Sequence, residues 1–268
     1  MMRAQDKRVE AGFSLLEFMI AAGLFVVLCG VAFGLLAVCQ NSYQTESQVL
    51  SSFQDARLAV DQMVRDINIA GYPPPNQFGE APQASSYAQT PVAWQPNYVA
   101  GGAGVPCSIG GNCTTPNQFD LIIESNIDPL QDLPNGEDVE WVRYQLQGTT
   151  LFRGVAQKTS GADPDAATQA VLVPFVQNVM NNASAAQIAQ LTATYPTMFP
   201  GGAPVPIFTY LCDNTGTLQP CTTSGGTPLN IRDVQITLIV QAPQPDATTR
   251  LPRVVQLQGR GHRVNPMS

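Results

Sequence analysis

Residues 12–72 read GFSLLEFMIAAGLFVVLCGVAFGLLAVCQNSYQTESQVLSSFQDARLAVDQMVRDINIAGY, and the rest of the fold follows from this stretch. From Phe18 to Cys39 it runs 22 residues without a charge. At about 1.5 Å per residue, a helix of that length crosses a hydrocarbon core of roughly 30 Å. Beyond Cys39 the sequence turns polar without a helix breaker. Apolar side chains then recur at Val49, Phe53, Ala56, Val60, Met63, Val64 and Ile67, the three-and-four spacing of one helical face. The pattern predicts one helix from about residue 14 to 70, apolar all round in its first half and amphipathic in its second. Gly71 ends it, and Pro73, Pro74 and Pro75 prevent it from resuming.

Ahead of the apolar run, the segment MMRAQDKRVEAG carries Arg3, Lys7 and Arg8. By the positive-inside rule these keep the N-terminus cytoplasmic and send the residues after Cys39 across the membrane. A secretory signal peptide would have a shorter apolar core closed by a small-x-small site, and a lipoprotein signal would place a small residue before Cys39, where Val38 stands. The acid at Glu17, at the head of the apolar run, has two readings. Inside a bilayer it would need a designated partner; at headgroup level it would cost little and favour the helix start.

Taken together, Gly12-Phe13-Ser14-Leu15-Leu16-Glu17, the short basic segment before it and the full apolar span after it resemble the type IV prepilin signature. The resemblance implies that a prepilin peptidase cuts after Gly12 and methylates the new amino group of Phe13. It also implies that Glu17 pairs with the Phe13 ammonium of a neighbouring subunit during assembly. Residues 54–72, with Arg65-Asp66-Ile67 and the closing Ala70-Gly71-Tyr72, are similar to the helix end of minor pilins of the PilW type. Tyr144-x-Leu146 followed by Leu151-Phe152-Arg153 resembles the central strands of PilW-like and J-type pseudopilin domains.

The implied organisation is a leader over 1–12, a transmembrane assembly helix over 13–39, an amphipathic helix over 40–72 and a periplasmic β-rich domain over 73–268. The implied setting is the inner membrane, with the C-terminal domain in the periplasm and the cell surface reached after assembly. The implied partners are the prepilin peptidase, other major and minor pilins, the inner-membrane pilus assembly machinery and the lipid bilayer. A type II secretion minor pseudopilin shares the same N-terminal chemistry, and a pilus-tip adhesin or DNA-capturing subunit is a further alternative. Gly23, Gly30 and Gly34 with Ala21, Ala22 and Ala32 give the helix small faces, whether as ordinary membrane-helix composition or as an interface. Cys29 and Cys39 read as small apolar residues.

After Gly71 the residue pattern changes. Residues 73–118 are rich in Pro, Gly, Asn and Gln with scattered apolar positions at Val92, Trp94 and Val99, a long ordered loop. Cys107 with Cys113 and Cys212 with Cys221 form two close pairs set among turn residues. They read as local disulfides of an exported domain, the alternatives being free thiols or one metal site. Alternating segments predict strands at 118–125, 139–146 and 151–153, with a turn at 147–150. Further strands are expected at 171–180, 204–211, 231–242 and 253–257, and a short helix at 184–191. The sum is an α+β, type IV pilin-like fold: a long N-terminal helix packed on a mainly antiparallel sheet.

Several functions are disfavoured by composition. The chain has 268 residues, a net charge of −7 and only 12% charged residues, so a broad nucleic-acid-binding face is not expected unless Arg250, Arg253, Arg260 and Arg263 form a local basic strip. The single histidine, His262, reads as a solvated tail residue. No phosphate loop, HExxH motif or paired-cysteine zinc pattern is present, so no enzyme activity, cofactor or metal is expected. The acidic run from Asp128 to Glu140 lacks EF-hand spacing and reads as a polar turn.

Overall fold

In the computed structural model of this chain, residues 14–77, 83–102, 104–127, 139–213, 216–223, 225–245 and 250–264 are described. The chain divides into two compact units after Gln48. The first contains the apolar half of helix α1 (Leu15–Ile69), a helix of 55 residues. Every large apolar side chain from Leu15 to Val38 is exposed there.

The second unit begins at Val49, where α1 changes character. Val49, Ala56, Ala59, Val60, Met63 and Ile67 are buried, and they fall on one face because a residue returns to the same side every three or four positions. The helix ends at Ile69, and Gly71 takes the left-handed conformation (φ +85°) that glycine adopts without steric cost.

Two antiparallel sheets form the rest, where the sequence pattern predicted one. The first runs β1 (Val92–Ala93), β2 (Asp120–Ser125), β3 (Glu140–Gln147), β4 (Thr150–Gln157) and β5 (Val173–Val176), each strand paired with the next. The second has the order β7 (Leu218–Pro220), β6 (Phe208–Asp213), β8 (Ile231–Pro245) and β9 (Pro252–His262). Alternation marks a strand but carries no record of which sheet it joins, so the division was not legible. Helix α2 (Pro164–Gln169) follows β4, and α3 (Ala185–Thr194) follows β5 with a Ser184–Gln187 capping box at its start. Asn181 ties the segment ahead of α3 to the second sheet. Its Nδ2 donates to the Thr237 carbonyl at 2.8 Å and its Oδ1 accepts from Ile239 N at 2.8 Å.

The first sheet is covered on both faces. Leu121, Ile123, Val142 and Tyr144 join the cluster that includes the buried face of α1, while Ile122 and Trp141 pack with Ala93, Trp94, Tyr98 and Ala100. The stretch read as a loop over 73–118 therefore contributes a strand and a second small core, with only Val99 of its expected apolar positions exposed. Glu124, fully buried at the end of β2, holds this covering segment. It accepts from Gln89 N at 2.7 Å, Trp141 Nε1 at 3.0 Å, Tyr98 Oη and Lys158 Nζ at 3.0 Å. A buried carboxylate is tolerable only with such a full set of partners.

Helix α1 meets the two sheets by different means. On the first, buried Asp66 accepts from Tyr144 Oη at 2.6 Å and Arg153 Nη2 at 3.0 Å. On the second, β9 presents glycine. A Cβ at Gly259 would stand 2.7 Å from Val60 Cγ1, and one at Gly261 would stand 2.5 Å from Ile67 Cγ2. These glycines let the helix approach the backbone, and being weak strand formers they concealed the last five residues of β9 from the pattern, which marked a strand only to Leu257. Similarly, β6 starts at Phe208 rather than Pro204, because Pro204 and Pro206 have no N–H to pair.

Gly261→Val is expected to destabilise the second unit by about 2–3 kcal/mol through overpacking against Ile67. The exposed neighbour substitution Gln258→Ala should cost less than about 0.5 kcal/mol. Urea unfolding of the two variants checks this; equal midpoints would refute the close helix–strand contact.

Candidate assembly segment and a cleft between the disulfide loops

Two regions have the chemistry of functional sites, and they lie in different units. In the first, Glu17 stands in the opening turn of α1 and is exposed, with Leu15, Leu16, Phe18, Met19 and Ile20 exposed around it. An acid at a helix N-terminus is favoured by the unpaired N–H groups of the first turn. Gly12 and Phe13 lie outside the described residues. The helix is long and apolar enough to cross a membrane. A Cβ added at Gly23, Gly30 or Gly34 would meet nothing within 4 Å, so those small residues are left open by this chain's own packing. Cys39 is exposed, Cys29 is half-buried, and both are free thiols.

In the second unit, disulfides join Cys107 to Cys113 and Cys212 to Cys221. Each closes a short loop, and cross-links of that span constrain the unfolded chain by about 2–3 kcal/mol. The two loops, about a hundred residues apart in sequence, are brought against each other. Ile109 N donates to the Gly226 carbonyl at 3.0 Å, and a Cβ at Gly110 would stand 2.8 Å from Thr222 Cγ2. Gly226 is itself wedged against the second bridge, where a Cβ would come within 2.4 Å of Cys212 Sγ. Between the loops and β6 lies a cleft of about 510 Å³. No spacing rule announced this juxtaposition; the glycines at 110, 111 and 226 were its only trace.

The acids and bases of this unit are mostly spent on structure. Arg143 grips Asp120 with Nε at 2.9 Å and Nη2 at 2.6 Å, and reaches Asp165 at 2.7 Å, joining β2, β3 and the start of α2. Burial opposes its charge, but the two carboxylates outweigh burial and raise its pKa. Buried Asp233 pairs with Arg260 and with His262 Nδ1 at 2.5 Å. His262 is therefore a residue of β9 with a carboxylate partner, not of a tail, and its backbone N–H binds Asn68 Oδ1 at 2.8 Å. Arg263 is buried and donates to the Leu229 carbonyl at 3.3 Å. Of the four arginines that the sequence offered for a basic strip, Arg260 is paired with Asp233 and Arg263 is buried. Of the acidic run, residues 128–138 lie outside the described residues, and Glu140 accepts from Ile127 N at 3.0 Å.

Comparison with protein-family models, with curated proteins and with solved structures finds no match for this chain.

Two buried phenols set an alkaline limit on the second unit. Tyr144 is raised by burial and by Asp66, against the pull of Arg153, and Tyr210 by burial and Asp120. Above about pH 10 the unfolded phenols ionise while the folded ones keep their protons. The folded state then holds more protons, so stability falls as pH rises, by up to about 1.4 kcal/mol per pH unit for each tyrosine. Lys158 runs the other way. Burial lowers its pKa against the pull of Glu124, so its penalty fades as pH climbs to its ordinary value of 10.5. Urea unfolding between about pH 9.5 and 11.5 should show this alkaline decline. Tyr210→Phe should shallow its slope by about one proton; an unchanged slope would contradict the assignment.

Proposed function

We propose that this chain is a minor pilin of the PilW kind, anchored in the inner membrane, cleaved after Gly12 and built into a type IV pilus through α1. The observation that carries the reading is Glu17, an acid five residues past the Gly12-Phe13 junction and in the first turn of a helix whose large apolar side chains from Leu15 to Val38 are exposed. An apolar surface of that extent is stable only against lipid or against other helices. The two disulfides fit an oxidising compartment for the second unit, as a periplasmic or surface location provides.

The chemistry is electrostatic and requires no catalytic group in this chain. Cleavage after Gly12 creates an ammonium at Phe13 where an amide had been. In the bilayer an unpaired carboxylate at Glu17 costs several kcal/mol, and so does an unpaired ammonium. A helix bundle in which Glu17 of one subunit meets the Phe13 ammonium of the next relieves both at once and fixes the axial register between them. The leader, before cleavage, offers no such charge at that place, so only processed subunits gain the pairing.

Glu17→Ala should leave cleavage unchanged and abolish incorporation. Removing one partner of a buried pair costs about 3–5 kcal/mol, which corresponds to a loss of a hundredfold or more. Immunoblots of membrane and sheared-surface fractions read both quantities; normal incorporation of the variant would remove the role given to Glu17.

A further inference from the structure

The cleft between the disulfide loops has a lining that selects its ligand. Its volume of about 510 Å³ lies in the range of small-molecule sites. No described residue that lines it carries a formal charge. A charged ligand would meet no opposite charge on this lining. Its apolar lining includes half-buried Phe119 and the rings of Pro206 and Pro220. Around that floor stand Gln118, Thr209 and Thr222, all exposed, whose side chains form no hydrogen bond with other described residues.

These groups are neutral donors and acceptors on the rim of a small hydrophobic platform. A hydroxyl and an amide each both give and receive hydrogen bonds, as a ring of vicinal hydroxyls requires. The platform matches the C–H face of the same ring. The walls are preorganised, since the two disulfides and the Ile109–Gly226 hydrogen bond fix the loops before a ligand arrives. An extended peptide would ask instead for a free strand edge, and along the cleft the outer edge of β6 is already taken, by the Gln118 carbonyl, which accepts from Phe208 N, and by Cys221 N, which donates to the Tyr210 carbonyl, with β7 pairing beyond them.

We infer that this cleft binds a neutral saccharide, one or two pyranose rings in size, with the sugar's apolar face on Phe119, Pro206 and Pro220 and its hydroxyls on Gln118, Thr209 and Thr222. The inference stands on the cleft alone and does not rest on the reading of the N-terminal segment.

The test uses the full chain in lipid nanodiscs, which avoids sugar-based detergents. Saturation-transfer NMR and titration calorimetry are run with glucose, galactose, N-acetylglucosamine, maltose, lactose and chitobiose. Sialic acid and a proline-rich decapeptide serve as comparators. At least one neutral sugar should bind saturably. Thr209→Trp, which places a large ring in the cleft from an exposed strand position, should abolish that binding. Thr209→Val and Gln118→Ala, which keep the shape of the strand and turn, should each weaken it about tenfold, the scale of one lost hydrogen bond in a site. Disulfide mapping and thermal melts confirm that each variant is folded. The inference is overturned if no neutral sugar saturates, if Thr209→Trp binds as the parent does, or if only sialic acid or the peptide binds.

Discussion

The last turns of α1 must satisfy two sheets at once, and the second unit is arranged around that demand. On one side a charge is buried: Asp66 enters the core because Tyr144 and Arg153 meet it from β3 and β4. On the other side β9 offers its backbone, since Gly259 and Gly261 remove the side chains that would hold the helix away. The two contacts are opposite solutions to one packing problem. One needs specific polar partners, the other needs their absence. Asn68 then closes the junction by accepting from His262 N, so the end of the helix and the end of β9 are fixed to each other.

The first half of α1 has no such partners among the described residues, and its chemistry points outward. A helix that is apolar on all sides is stable in lipid or in a bundle, and the acid at its head has meaning only in that setting. The same residue that is an ordinary N-terminal acid in water becomes, in a bilayer, a demand for a positive charge. On the proposed reading, cleavage after Gly12 would create that charge at Phe13, and processing and assembly would be a single electrostatic event. The division of the chain into two units thus matches a change in the helix, with one half left exposed and the other half given to the core.

What could be read from residues alone tracks how local the governing physics is. Helix α1 and its stop at Gly71 were legible because periodicity, an unbroken run and a glycine all act within a few residues. The β3–β4 hairpin was legible for the same reason, as was the short helix α3, expected over 184–191. The second sheet, the covering of β2 by residues 88–100 and the meeting of the two disulfide loops were not, because each depends on contacts between distant segments. His262 shows the limit most plainly. Surrounded in sequence by Gly and Arg, it read as solvated tail, yet its partner is Asp233, 29 residues away on the neighbouring strand. The strands of a sheet hide their pairings until both are placed.

The central claim concerns the junction at Gly12 and Phe13, and the mass of the native protein's N-terminus tests it most directly. Purified from its own membranes and read by mass spectrometry, the mature chain should begin at Phe13 and carry a methyl group on its amino nitrogen. A chain that keeps Met1, or one that begins at a lipidated Cys39, would contradict it.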